Sequence, residues 1–351
     1  MRLNSGRFEV LQAYRAFAAL GVVLHHINGK LSAPHYFGTQ VPDFFSWGQI
    51  GVDFFFVLSG FIIAMCTQRA RSAPEFLMNR ALRIYPPFWL AFGATLIVAL
   101  ALASRLHTPV TSDVAALIAA AMLIPQPDPP VIGVAWTLHH ELLFYAITGA
   151  WLAAPRVAGA MAALLLLGSL FPHESFGAQF IFSPFHWEFA AGVLAFAMRN
   201  RISTSMARPV VAASSLGAAA VVAWMWSHDD YWSFYRYATL AVLFGALIAA
   251  STRLPATAIE GGTLRVAIAL GASSYTLYLW HIALVTPLTK LARMTLAGLH
   301  AGTGLTLIVV VAAATAATAH AIYRFIELPT VNAVRKRIAA SRAALAANRS
   351  A

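Results

Sequence analysis

Arg15 and His26 lie in one apolar run, Arg15-Ala-Phe-Ala-Ala-Leu-Gly-Val-Val-Leu-His25-His26, with ten residues between them. At about 1.5 Å of rise per residue, a helix separates them by about 16 Å along its axis and returns them to nearly one face after about three turns. Ionisable groups survive in a bilayer helix only where that face lines a protein interior. An imidazole held there can take the proton of a hydroxyl as a general base, or attack as a nucleophile and carry a group covalently. The residues leave both uses open. Asp53, Glu141, Glu188 and His281 interrupt other apolar runs, and the paired arginines Arg80 and Arg83 precede Tyr85-Pro86-Pro87. Guanidinium forks bind phosphate oxygens in pairs. Glu141 is a candidate for orienting the His26 ring and stabilising its cation, as a carboxylate does in a triad, with Asp53 as the competing partner. The scattered histidines and the lone Cys66 offer no metal constellation and no disulfide.

The elements that must position these groups follow from composition. The chain is 60% hydrophobic and 11% charged, where a soluble domain carries about a quarter charged residues. Its fold class is therefore all-α and polytopic, with apolar runs near the spanning length. Those runs are roughly 9–31, 47–67, 84–105, 113–126, 134–153, 157–171, 180–198, 209–227, 236–252, 264–287 and 303–324. The first is read as a span rather than a cleavable signal. The net charge of +11 is not a nucleic-acid footprint, because the arginines sit in short loops and at the ends, as in cytoplasmic loops.

Arg2 and Arg7 place the N-terminus inside, Arg69, Arg71, Arg80 and Arg83 the loop after the second run, and Arg335, Lys336, Arg337 and Arg342 the C-terminus; both termini inside requires an even number of crossings. The segment 113–126 is short, acidic at its flanks and followed by a proline cluster, and is read as re-entrant or interfacial. Ten crossings remain, with Lys290 and Arg293 as the main exceptions to the charge rule. At ten crossings His26, Asp53, Glu141, Glu188 and His281 fall at similar depth near the outer surface. At eleven, the last three would move to the inner half. A single membrane domain over 1–330 and a basic cytoplasmic tail over 331–351 are expected. Simple packing roles compete for several residues: His25 as a helix neighbour, Ser59 and Gly60 as small contacts, Glu327 as the ion-pair partner of Arg324. Trp47, Trp136, Tyr231 and Trp232 could be interface aromatics.

Several motifs together resemble the bacterial membrane acyltransferase-3 family, and within it the exopolysaccharide O-acetyltransferases. They are Leu11-Gln-Ala-Tyr-Arg15 through His26; Gly51-Val-Asp53-Phe-Phe-Phe-Val-Leu-Ser59-Gly60-Phe; Asn79-Arg80-Ala-Leu-Arg83-Ile-Tyr85-Pro86; and Gly133-Val-Ala-Trp136-Thr-Leu-His-His-Glu141-Leu-Leu-Phe-Tyr145. Glu188-Phe-Ala-Ala-Gly192, Ser274-Tyr275-Thr-Leu-Tyr278-Leu-Trp-His281 and Arg324-Phe-Ile-Glu327 complete an ordered set over about 11–330. Gln12 stands where the family often has an acid, and His139 and His140 are unusual before the glutamate.

The resemblance implies a membrane-bound O-acyltransferase of the bacterial inner membrane. Its donor would be acetyl-CoA or another acyl-CoA, and its acceptor a hydroxyl of a cell-surface or exported polysaccharide or a lipid-linked precursor. Arg15, Arg80, Arg83 and Tyr85 would hold the donor's phosphate end, and its arm would reach His26. Trp136, Tyr145, Glu188 and His281 would line the substrate pocket. No metal is implied, and a homo-oligomer is left open. The competing class is a proton-coupled carrier or flippase of a lipid-linked sugar. A scaffold subunit of a polysaccharide synthase is a third. Turnover of acyl-CoA separates them.

Overall fold

The computed structural model describes residues 5–33, 37, 41, 44–106, 113–228, 233–254, 262–295 and 301–350. Arg2, Tyr231 and Trp232 lie outside the described residues, as do the side chains of Arg7 and Arg342. Every apolar run becomes helical, and no strand occurs among the described residues. The helices are α1 (Ser5–Leu31), α2 (Ile50–Thr67), α3 (Ala73–Leu106), α4 (Val114–Ala121), α5 (Trp136–Ala153), α6 (Pro155–Gly168), α7 (Phe176–Ile181) and α8 (Phe185–Met198). They continue as α9 (Thr204–His228), α10 (Phe234–Ser251), α11 (Gly262–Ala272), α12 (Ser274–Thr295), α13 (Ala301–Ile322) and α14 (Leu328–Ser350).

Seven helices among the described residues are long and apolar enough to cross a bilayer, eight if α11 and α12, bent by 76° at their junction, form one broken span. The chain is thus a multi-pass helical membrane protein, and the expected ten crossings exceed this number. The difference lies in α5, whose first turns carry His139, His140 and Glu141, and α6, which has only 14 residues. The expected re-entrant segment forms α4, whose eight residues span about 12 Å and cannot cross. Asp113 caps its start by accepting from Ala115 N at 2.8 Å. At its end Leu123 adopts a left-handed φ of 57°. The Tyr85 hydroxyl donates to Met122 O at 3.0 Å and the Trp89 indole to Ala121 O at 2.9 Å, satisfying carbonyls the helix leaves open. Residues 331–350 are helical. They continue the last span through a π turn at Tyr323–Glu327 into α14.

The frame around the candidate site is the contact of α2 with α8, the most extensive in the protein. A side chain at Gly60 would strike Phe189 O, and one at Gly192 would strike Val57 O. The two backbones meet because both positions lack Cβ, the small-residue packing that membrane helices use. α1 packs on α2, α11, α12 and α13, while α10 covers α8 and α9.

Candidate active site

Polar side chains gather around two adjoining cavities. The first, of about 80 Å³, is lined by Arg15, Ser59, Arg83, Glu141 and Tyr275. Each water needs about 10–15 Å³ of such volume, so this space admits a slender chain or a handful of waters. Glu141 Oε1 accepts from the Tyr145 hydroxyl at 2.5 Å and stands 3.5 Å from Ser59 Oγ. Arg15 and Arg83 both interact electrostatically with Glu141. Gln12 Oε1 holds Arg15 Nη1 at 3.3 Å. Arg80 lies 5.9 Å from the Tyr145 ring centroid and 6.0 Å from that of Phe76. The π turn brings in Glu327, which accepts from Thr276 Oγ1 at 2.5 Å and faces Arg83.

The second cavity, of about 370 Å³, is lined by His25, His26, Asp53, Trp136 and Arg236. Val52 and Tyr278 belong to both linings and form the partition between them. Tyr278 is fixed there by its hydroxyl, 3.0 Å from Thr137 Oγ1 and 3.2 Å from Val134 O. His26 Nδ1 lies 2.9 Å from Val22 O, one turn back on its own helix. Only a protonated Nδ1 can bond a carbonyl, which assigns the tautomer and leaves the lone pair on Nε2. His281 is fixed in the same way by Tyr278 O at 2.7 Å, and its Nε2 stands 3.4 Å from His26 Nδ1. Below this pair Arg236 forms a buried ion pair with Asp53. Glu188 is fully buried against Asp53, and the two carboxyl groups interact with each other and with Arg236.

The five ionisable residues expected at one depth therefore divide. His26 and His281 meet, Asp53 and Glu188 meet, and Glu141 joins the arginines instead. His26 makes no hydrogen bond to Glu141 or Asp53; its Nδ1 faces Val22 O and the His281 ring instead. The cause is azimuth on α5. Thr137, Leu138 and Glu141 share the face toward Arg83, whereas Trp136 and His140 pack with Phe185 on another. Tyr85, expected with the donor, spends its hydroxyl on α4 and does not line the arginine cavity. Glu327 bonds Thr276, not Arg324, since the π turn leaves Arg324 exposed and Glu327 buried.

Arg236 is the residue that the sequence reading passes over. Its signal is an arginine at the start of an apolar run whose assigned orientation puts that end outside, against the charge rule. His139 and His140 are nearly buried, and the His140 ring packs 4.7 Å from Phe180 and 5.4 Å from Phe185. They are packing residues here. Among the described residues no three His, Cys, Asp or Glu side chains group as metal ligands.

The all-helical membrane bundle thus holds arginines at one cavity and an imidazole at the next. The chain belongs to the acyltransferase family, whose domain model, described as an acyltransferase domain, matches residues 9–323. Among curated proteins it is similar to "Exopolysaccharide production protein ExoZ" of Rhizobium meliloti (strain 1021), at 30% identity over 275 residues covering 74% of this chain and 82% of that one. It is 29% identical to "Nodulation protein 10" of Rhizobium leguminosarum bv. viciae over 233 residues, 57% of this chain and 62% of that one. It is 30% identical to "Acyltransferase MdmB" of Streptomyces mycarofaciens over 152 residues, 41% and 39% of the two chains. No solved structure matches the chain.

Proposed function

We propose that this acyltransferase moves an acyl group, acetyl in the simplest case, from acyl-CoA to a hydroxyl of an exported or cell-surface carbohydrate. Its termini would lie in the cytoplasm and its acceptor cavity toward the outer face of the bacterial inner membrane. The observation that carries the reading is the partition. Arg15 and Arg83 bound one cavity, His26 bounds the next, and Val52 and Tyr278 line both.

The donor's phosphates suit guanidinium forks, and its narrow arm suits the small arginine cavity. On this reading the arm passes between Val52 and Tyr278 and brings the thioester to the histidine cavity. The family match and the name of the Rhizobium meliloti relative support acyl transfer to polysaccharide.

His26 is assigned as general base. Its Nε2 lone pair takes the acceptor's hydroxyl proton as the oxygen attacks the thioester carbonyl. The C–O bond forms, the C–S bond breaks, and the proton passes to the departing thiolate. Val22 O and the His281 lone pair, both facing Nδ1–H, stabilise the transient imidazolium in place of a carboxylate. Asp53, Arg236 and Trp136 shape the acceptor side. Purified protein supplied with acyl-CoA and an acceptor glycan should release free CoA and yield a glycan heavier by one acyl group. A carrier would release none. A covalently acylated His26, trapped by hydroxylamine, would replace the base by a nucleophile.

A further inference from the structure

A third polar cavity, of about 400 Å³, opens between the ends of α2, α8 and α10 and shares no lining residue with the other two. Arg69, Arg199 and Arg253 reach it from three separate loops, over an apolar floor of Phe61, Met65 and Phe196. No carboxylate lines it. Two of the guanidiniums are held in place by the protein. Arg199 donates to Phe196 O and lies 3.6 Å over the Phe196 ring centroid, and Arg253 Nε donates to Ile202 O at 3.1 Å. These two like charges interact with each other, and neither has an ion-pair partner among the described residues.

Fixing like-charged forks together without a counter-charge is unfavourable unless an oxyanion completes the site. The apolar floor argues for an amphiphile rather than a free ion. The donor is routed elsewhere, since Ser59 and Ile62 turn one face of α2 to the arginine cavity and Phe61, Met65 and Gln68 turn another to this one. We propose that this pocket binds the phosphate of an anionic phospholipid from the leaflet at the arginine-rich end of the bundle, as basic pockets between membrane helices do.

The test is native mass spectrometry of the purified full chain in detergent with phosphatidylglycerol or phosphatidylcholine of matched acyl chains. Adenosine 3′,5′-bisphosphate is the competitor standing for the donor's nucleotide. Wild type should retain phosphatidylglycerol over phosphatidylcholine. R199Q/R253Q should retain about tenfold less, as expected for lost charge-assisted bonds. N200E, a change at an exposed position lining the cavity, supplies an internal carboxylate and should expel the lipid without disturbing the fold. R201Q/R208Q removes the same charge from exposed arginines outside the pocket and should bind as wild type. Equal retention in all variants, or equal loss in R201Q/R208Q, overturns the site. Displacement by the nucleotide overturns the lipid and gives the pocket to the donor. The readout involves no acyl transfer, so it stands or falls apart from the proposed reaction.

Discussion

Around the arginine cavity three guanidiniums, Arg15, Arg80 and Arg83, are set against two carboxylates, Glu141 and Glu327. Beside His26 the balance shifts, with Asp53 and the buried Glu188 set against Arg236, and Lys30 acting on the His26 ring. The first region has positive charge to spare and is matched to a polyanion. In the second, Asp53 lines the cavity and Glu188 is buried behind it, while His26 makes its ring contacts apart from the ion pair. On the proposed reading, a polyanionic donor and a hydroxyl-bearing acceptor would each be kept to one side.

If that division holds, each side can be broken alone. The largest effect is expected for His26→Ala, with kcat falling about 10²- to 10⁴-fold, the usual worth of a general base, while KM for acyl-CoA stays unchanged in steady-state kinetics. A parallel rise in donor KM would merge the two regions. Next is Arg236→Met, which strands a buried Asp53 charge. Losing one partner of such a pair costs about 3–5 kcal/mol, so the unfolding temperature in detergent should drop. Asp53→Leu in the same chain should recover most of it, and failure to recover would mean that Arg236 acts through other contacts.

Arg83→Gln should raise donor KM about ten- to a hundredfold, the range for charge-assisted hydrogen bonds, with acceptor KM unmoved. The smallest effect is expected for His281→Asn, a few-fold loss in kcat, since one long contact to the His26 ring is removed. A loss as large as that of His26→Ala would make His281 a reacting group.

The helical runs were legible because apolar length reports helices directly, and 113–126 was recognisable from its prolines and flanking acids. Arg15, His26, Arg83 and Glu141 stood out as residue types, because charge in an apolar run needs a reason, and all four line the two cavities. Partnership was not. Depth along a span can be counted from sequence, but azimuth decides neighbours, and Glu141 turns toward Arg83 while Trp136, five residues earlier, turns toward His26's cavity. Glu327 depended on a π turn that no residue pattern announced. Tyr85 has arginines as motif neighbours, but its hydroxyl reaches Met122 O, 37 positions away, a contact that its motif does not announce.

The meeting of Gly60 with Phe189 O and of Gly192 with Val57 O has a mechanical consequence. Two backbones already in touch can neither slide nor close further, so α2 and α8 behave as one rigid girder carrying Asp53 and Glu188. α1 is tied to the same girder, since a side chain at Gly51 would strike Ala18 O, so the cavity beside His26 sits in a frame braced from two sides.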